Sequence, residues 1–105
     1  MPVDPVAKVR NGKYILRLYV AGSTPQSSRA ISNLKVICET HLKGRYSLTV
    51  VDLYEKPERA MDDQIMVVPT LLRLSPAPVR RLIGDLSKTA GILAALDIPA
   101  ASLLP

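Results

Sequence analysis

Lys13-Tyr14-Ile15-Leu16-Arg17-Leu18-Tyr19-Val20, running into Ala21-Gly22-Ser23-Thr24-Pro25, is the stretch on which the fold turns. Strand alternation puts Tyr14, Leu16, Leu18 and Val20 on one face and Ile15, Arg17 and Tyr19 on the other. A strand apolar on most of both faces belongs at the centre of a sheet. Beyond it, Thr24 can accept a backbone N–H as N-cap while Pro25 supplies the preset φ of a first helical position. Ala30, Ile31, Leu34, Ile37, Cys38 and then His41 or Leu42 recur at steps of three and four, giving that helix one buried stripe. Gly44 ends it in the left-handed conformation glycine tolerates. From Tyr46 to Leu53, Tyr46, Leu48 and Val50 alternate against Ser47 and Thr49 before Val51, a second strand. Strand, crossover helix and strand make a parallel, right-handed βαβ unit.

The second half is less determined. Pro57 can open a helix through Met61 and Ile65, and Val67-Val68-Pro69-Thr70-Leu71-Leu72-Arg73-Leu74 reads as a strand entered through a proline. Ser75-Pro76-Ala77-Pro78 forces a turn, after which Val79 to Ile83 returns antiparallel. Asp85 or Ser87 can then cap a last helix containing Ile92, Leu93, Ala94, Ala95 and Leu96, stopped by Pro99. The order βαβαββα is the thioredoxin-like arrangement. Two features resist it: Gly91 costs about 1 kcal/mol inside a short helix, and Pro69, Pro76 and Pro78 each follow a bond whose isomers differ by only about 0.5–1 kcal/mol before tertiary context decides.

Composition narrows the function. At 105 residues the chain has the size of one domain, residues 1–105, with 1–12 and 99–105 read as flexible termini. An apolar fraction of 48% and a charged fraction of 22% are those of a folding chain. The first twelve residues lack the apolar core of a secretory signal, and no uncharged run approaches the ~18 residues of a membrane span. A soluble, cytoplasmic protein is expected. The net charge of +5 favours acidic partners. Nucleic acid is not expected among them, because the basic residues are dispersed and no stacking motif interleaves the tyrosines.

Catalysis finds little support. A thiol oxidoreductase of this architecture needs a Cys-x-x-Cys pair where the first strand meets the first helix, and that place reads Gly22-Ser23-Thr24-Pro25-Gln26-Ser27-Ser28. Cys38 stands alone within the helical stretch and reads as a small buried hydrophobe. His41 has no second histidine with which to share a metal. Asp62 and Asp63, with Glu55 and Glu58, lack the spacing of a calcium loop and read as a solvated helix face. No glycine-rich phosphate loop is present. No cofactor is expected. Arg80-Arg81 is the most pointed polar feature left; alternation sends the two guanidinium groups to opposite faces, and a solvated hairpin edge competes evenly with partner binding.

Three segments carry a resemblance: residues 13–25, Val67-Val68-Pro69-Thr70-Leu71, and Pro78-Val79-Arg80-Arg81-Leu82-Ile83-Gly84-Asp85-Leu86-Ser87. Together, and in that order, they resemble the signature segments of the KaiB family of circadian clock proteins across Tyr14 to about Asp97. The resemblance implies a regulator that binds the ring-shaped ATPase KaiC and, in cyanobacterial clocks, helps sequester KaiA and displace a histidine kinase. It also implies a metamorphic C-terminal half, with a self-associating ground state (βαββααβ, dimer or tetramer) and a thioredoxin-like monomer (βαβαββα) that binds KaiC. An isolated chain is expected in the ground state.

By the same resemblance, Tyr14 and Asp97 fall where the balance between the folds is set, and Arg29, Arg80 and Arg81 match positions used in docking. Pro69, Pro76 and Pro78 lie in the half that would rearrange. The family's Ile-Gly-Leu-Asp reads Ala94-Ala95-Leu96-Asp97 here, and Ala95 in place of glycine favours helix by up to about 1 kcal/mol. From Ile98 to Pro105 there is no acidic residue, unlike the acidic tail of cyanobacterial relatives, which favours a KaiC-only pathway outside cyanobacteria, such as stress adaptation. The alternative is a fixed thioredoxin-like sensor or adaptor without redox activity.

Overall fold

The computed structural model describes residues 13–98. The expected flexible termini, 1–12 and 99–105, and the expected helix stop at Pro99 lie outside them. Elements follow in the order β1 (Tyr14–Val20), α1 (Pro25–His41), β2 (Tyr46–Asp52), α2 (Glu58–Asp62), β3 (Thr70–Ser75), β4 (Arg80–Ile83) and α3 (Thr89–Ala95). The four strands form one sheet in the order β2-β1-β3-β4, so β1 is central as its two apolar faces require. It pairs parallel to β2, Tyr14 opposite Tyr46 through Val20 opposite Asp52. It pairs antiparallel to β3, Arg17 opposite Leu72, and β3 pairs antiparallel to β4, Arg73 opposite Arg80.

Each face of β1 seeds its own apolar layer. Tyr14, Leu16, Leu18 and Val20 join Ala30, Leu34, Ile37, Cys38 and Leu42 of the α1 region, Leu71 of β3, and Leu86, Ile92, Leu93, Leu96 and Ile98 around α3. On the opposite face Tyr19 packs with Val51, Ile65 and Leu72. Tyr46 and Leu48 lean on the first layer, whereas Val50 of the edge strand β2 is exposed.

The helix ends explain where the sequence reading erred. Thr24 caps α1 as expected, its Oγ1 accepting from the Ser27 amide at 3.2 Å. The second helix does not reach Ile65: it ends at Asp62, Gln64 takes a φ of 59°, and the Ile65 amide turns back to the Ala60 carbonyl at 2.7 Å. This Schellman closure swings Ile65 into the second apolar layer. Neither Asp85 nor Ser87 caps α3; Lys88 occupies the cap position and contributes no side-chain bond. Asp85 is engaged elsewhere, holding the Ser87 amide at 3.1 Å and the Arg29 guanidinium at 3.3 Å. The α3 helix ends by a second Schellman closure, with Asp97 at φ 60° and the Ile98 amide bonded to the Leu93 carbonyl at 2.8 Å.

The arrangement is therefore βαβαββα, the thioredoxin-like order, and not the ground-state order expected of an isolated chain. Ala94 and Ala95 lie in α3, as alanine's helix propensity favours, and Ile92, Leu93, Leu96 and Ile98 are buried against the sheet. The Val68–Pro69, Ser75–Pro76 and Ala77–Pro78 bonds are all cis.

Candidate functional site

At the β1–α1 junction, where a thioredoxin-like oxidoreductase carries its thiols, Ser27 is buried and its Oγ accepts from the Ala21 amide at 3.1 Å. Asp52 closes the junction from below, its Oδ1 accepting from the amides of Gly22 at 3.0 Å and Tyr54 at 2.9 Å. These groups satisfy backbone donors, and no thiol stands at the junction. Cys38 is fully buried in the first apolar layer, where burial pushes its thiol up to about 12. His41 occupies the last turn of α1. Among the described residues no group of three or more His, Cys, Asp or Glu side chains is gathered that could hold a metal ion.

The arginines expected to dock a partner do not form one patch. Arg29, on α1, is exposed and reaches across to Asp85, whose backbone carbonyl also accepts from Asn33 Nδ2 at 2.8 Å; the loop after β4 is thus tied down onto α1. Arg80 and Arg81 do point to opposite faces. Arg80 lies 3.5 Å from the Asp97 carboxylate on the α1–α3 side, while Arg81 donates to the Gln64 carbonyl at 3.1 Å beside α2. Around Arg81 the surface is apolar, with Met66, Val67 and Ile83 exposed.

The residues expected to influence the fold balance gather more closely. Tyr14 donates its hydroxyl to the Asp97 carbonyl at 3.2 Å. Ala95 lies in the last turn of α3, two residues before Asp97. Pro69 is fully buried at the entrance to β3, where its carbonyl accepts from Gly84; Pro76 and Pro78 line the β3–β4 turn.

Two side-chain clusters went unread in the sequence. Arg73, 1% exposed, donates to the carbonyls of Leu96 and, at 2.8 Å, Pro78, and lies 3.4 Å from the Asp97 carboxylate. The only warning was an arginine set among Leu71, Leu72 and Leu74 of β3. On the other face Asp63 accepts from Tyr19, from Arg59 at 2.8 and 3.0 Å, and lies 3.7 Å from Arg17. Asp63 is thus not part of a solvated helix face. The hydrogen bond from Tyr19, reinforced by Arg59, holds its carboxyl below the usual carboxylate range, and burial raises the Tyr19 phenol in turn. Spacing alone shows Arg17 and Tyr19 sharing a strand face and Arg59 and Asp63 one helix turn; it does not show that the two pairs meet.

Comparison with known proteins is consistent with this geometry. The KaiB domain model matches residues 17–98. The "Circadian clock oscillator protein KaiB" of Prochlorococcus marinus subsp. pastoris is 51% identical over 85 residues, covering 81% of this chain and 79% of that protein. The protein of the same name from a Synechococcus species is also 51% identical, over 81% of this chain and 71% of its own length. Among solved structures, chloroplastic thioredoxin z is similar at a TM-score of 0.66 with 17% identity, covering 89% of this chain and 86% of its own. The N-terminal domain of Synechococcus elongatus SasA is similar at 0.62 with 21% identity, over 77% of this chain and 79% of that one. At those identities the structural likeness shows the fold alone: it is thioredoxin-like.

Proposed function

The chain belongs to the KaiB family, and from that premise we propose that it is a circadian-clock component acting by docking, without catalysis, onto a KaiC-type ATPase. The observation that carries the proposal is the KaiB domain match across residues 17–98, spanning both halves of a thioredoxin-like fold whose thiol position reads Thr24-Pro25-Gln26-Ser27. The βαβ half supplies a fixed platform and the segment from Tyr54 to Asp97 rearranges between a self-associated dimer or tetramer and the form described above. Arg29, Arg80 and Arg81 meet acidic ground on the ring, Arg81 from within an apolar surround suited to the desolvated centre of an interface. KaiA and a histidine kinase are further partners where they occur; otherwise the protein serves a KaiC-linked timing or stress-adaptation pathway. Among the described residues no helix is long and apolar enough to cross a membrane.

Size-exclusion co-elution with a KaiC-type ATPase and nucleotide tests the reading. A complex at micromolar concentration is expected, and its absence overturns the proposal. The likeness to the SasA domain favours a second reading, a permanently thioredoxin-like adaptor. One set of NMR resonances without slow exchange in residues 54–98 would select it over the rearranging form.

A further inference from the structure

We propose that Arg73 is an internal clamp that caps the C-terminus of α3 and makes that helix and the β3–β4 turn open as one unit. The last carbonyls of a helix have no partner within it, and a cation there also meets the negative end of the helix dipole. Arg73 supplies both from inside the protein: Nη1 reaches the Leu96 carbonyl, the C-cap residue of α3, while Nη2 reaches the Pro78 carbonyl at 2.8 Å. One planar guanidinium thus joins two segments that share no strand pairing, a geometry that a single ammonium does not reproduce.

The clamp is placed with a built-in opposition. Arg73 stands directly across the ladder from Arg80, and like charges at opposed positions repel. The Asp97 carboxylate answers both, 3.4 Å from Arg73 and 3.5 Å from Arg80. Asp97 stands there because the Schellman closure of α3 sets it at φ 60°. The register of β3 on β1 shifts between Arg73 and Ser75, a bulge of the kind that re-aims a side chain. Arg73 Nε and the neighbouring Ser75 Oγ are buried without a partner. A buried guanidinium left partly unsatisfied holds its segments together yet lowers the cost of parting them. Arg73, with its charge answered by Asp97, therefore ties the C-terminal end of α3 to the β3–β4 turn.

Amide hydrogen exchange on the full chain, with no partner present, tests the clamp. In Arg73→Gln the amides of Leu96 and Ile98 and those of Ala77, Val79 and Arg80 in the β3–β4 turn are expected to exchange at least tenfold faster and by a common factor, with Leu16 and Leu18 of β1 changed by less than twofold. Asp97→Asn should give a smaller change at the same amides. If Arg73→Gln does not fold, Arg73→Lys is read in the same way, since it keeps the charge and loses the fork. Unchanged amides at Leu96 and Ile98, or a uniform acceleration that includes β1, overturns the inference. Because no ATPase enters the measurement, failure to find a complex leaves this result standing, and the reverse also holds.

Discussion

The Tyr14 hydroxyl donates to the Asp97 carbonyl at 3.2 Å, joining the first residue of β1 to the turn that closes α3, 83 positions along the chain. Tyr14→Phe keeps the buried ring and removes only the hydroxyl. A hydrogen bond of this kind contributes about 1 kcal/mol net. Urea denaturation should show a loss of that order at an unchanged m-value. A loss above about 3 kcal/mol would mean that the hydroxyl does more than hold one carbonyl.

Cys38 should be inert in the native state. With its pKa pushed up to about 12 by burial, only about one molecule in ten thousand carries the thiolate at pH 8. Labelling by a thiol probe should therefore follow unfolding, rising with urea along the same curve as circular dichroism. The raised pKa means that the folded state holds this proton more tightly than the unfolded chain does. The associated stability is complete below the unfolded thiol pKa of about 8.5 and declines as pH rises from there towards the folded value. Cys38→Ala should flatten that alkaline decline; rapid native-state labelling would contradict the burial.

Asp63 works in the opposite direction. Its lowered pKa, caused first by the Tyr19 hydrogen bond and then by Arg59, means that the folded state binds the proton less tightly. The cluster stabilises above the unfolded carboxylate pKa of about 3.9, and the contribution fades as pH falls through it towards the folded value. The stability difference between the native sequence and Asp63→Asn should therefore be largest near pH 7 and shrink by pH 3. Equal differences at both pH values would assign the effect to packing instead of charge.

The βαβ half was legible because its signals are local and agree with one another: β1 alternates, Thr24 and Pro25 mark the helix start, and β1 pairs with β2 as expected. Beyond Tyr54 the signals weaken. The α2 helix has five residues and α3 seven, lengths at which tertiary burial outweighs propensity, and both end through non-glycine residues at positive φ, Gln64 and Asp97, that no composition rule announces. Asp85 resembled a helix cap because an aspartate before a helical pattern usually is one; here Arg29 and the Ser87 amide claim its oxygens first. Tyr14 and Asp97 were singled out by resemblance and do meet. Arg73 passed unnoticed because its nearest partners are the Leu96 and Pro78 carbonyls, and no side-chain motif reports a carbonyl.

Gly22 has a φ of 60°, and a Cβ there would approach the Tyr54 ring at 2.7 Å. Two costs are possible in Gly22→Ala, and their sizes differ. A left-handed alanine costs about 1–2 kcal/mol, whereas Tyr54, 73% exposed, is free to swing outward. The backbone should dominate. Tyr54→Ala added to Gly22→Ala is therefore expected to restore less than about 0.5 kcal/mol in thermal denaturation; full restoration would show that the ring is fixed.

Arg80 and Arg81 should separate docking from folding. Arg81 meets a backbone carbonyl at the surface, so Arg81→Glu leaves no buried charge unpaired and should cost stability no more than about 0.5 kcal/mol. Arg80 shares the Asp97 carboxylate with buried Arg73, so Arg80→Glu sets a second acid beside Asp97 and offers Arg73 a competing partner, altering the closure of α3 as well as the surface. If an acidic face of a KaiC-type ATPase is the partner, Arg81→Glu weakens the complex at least tenfold at low salt while leaving urea midpoints almost unchanged, and the deficit narrows as salt rises. Arg80→Glu shifts both association and midpoint. Equal binding by native protein and Arg81→Glu at every salt concentration would remove Arg81 from the interface, and the apolar surround of Met66, Val67 and Ile83 would lose its cationic anchor with it.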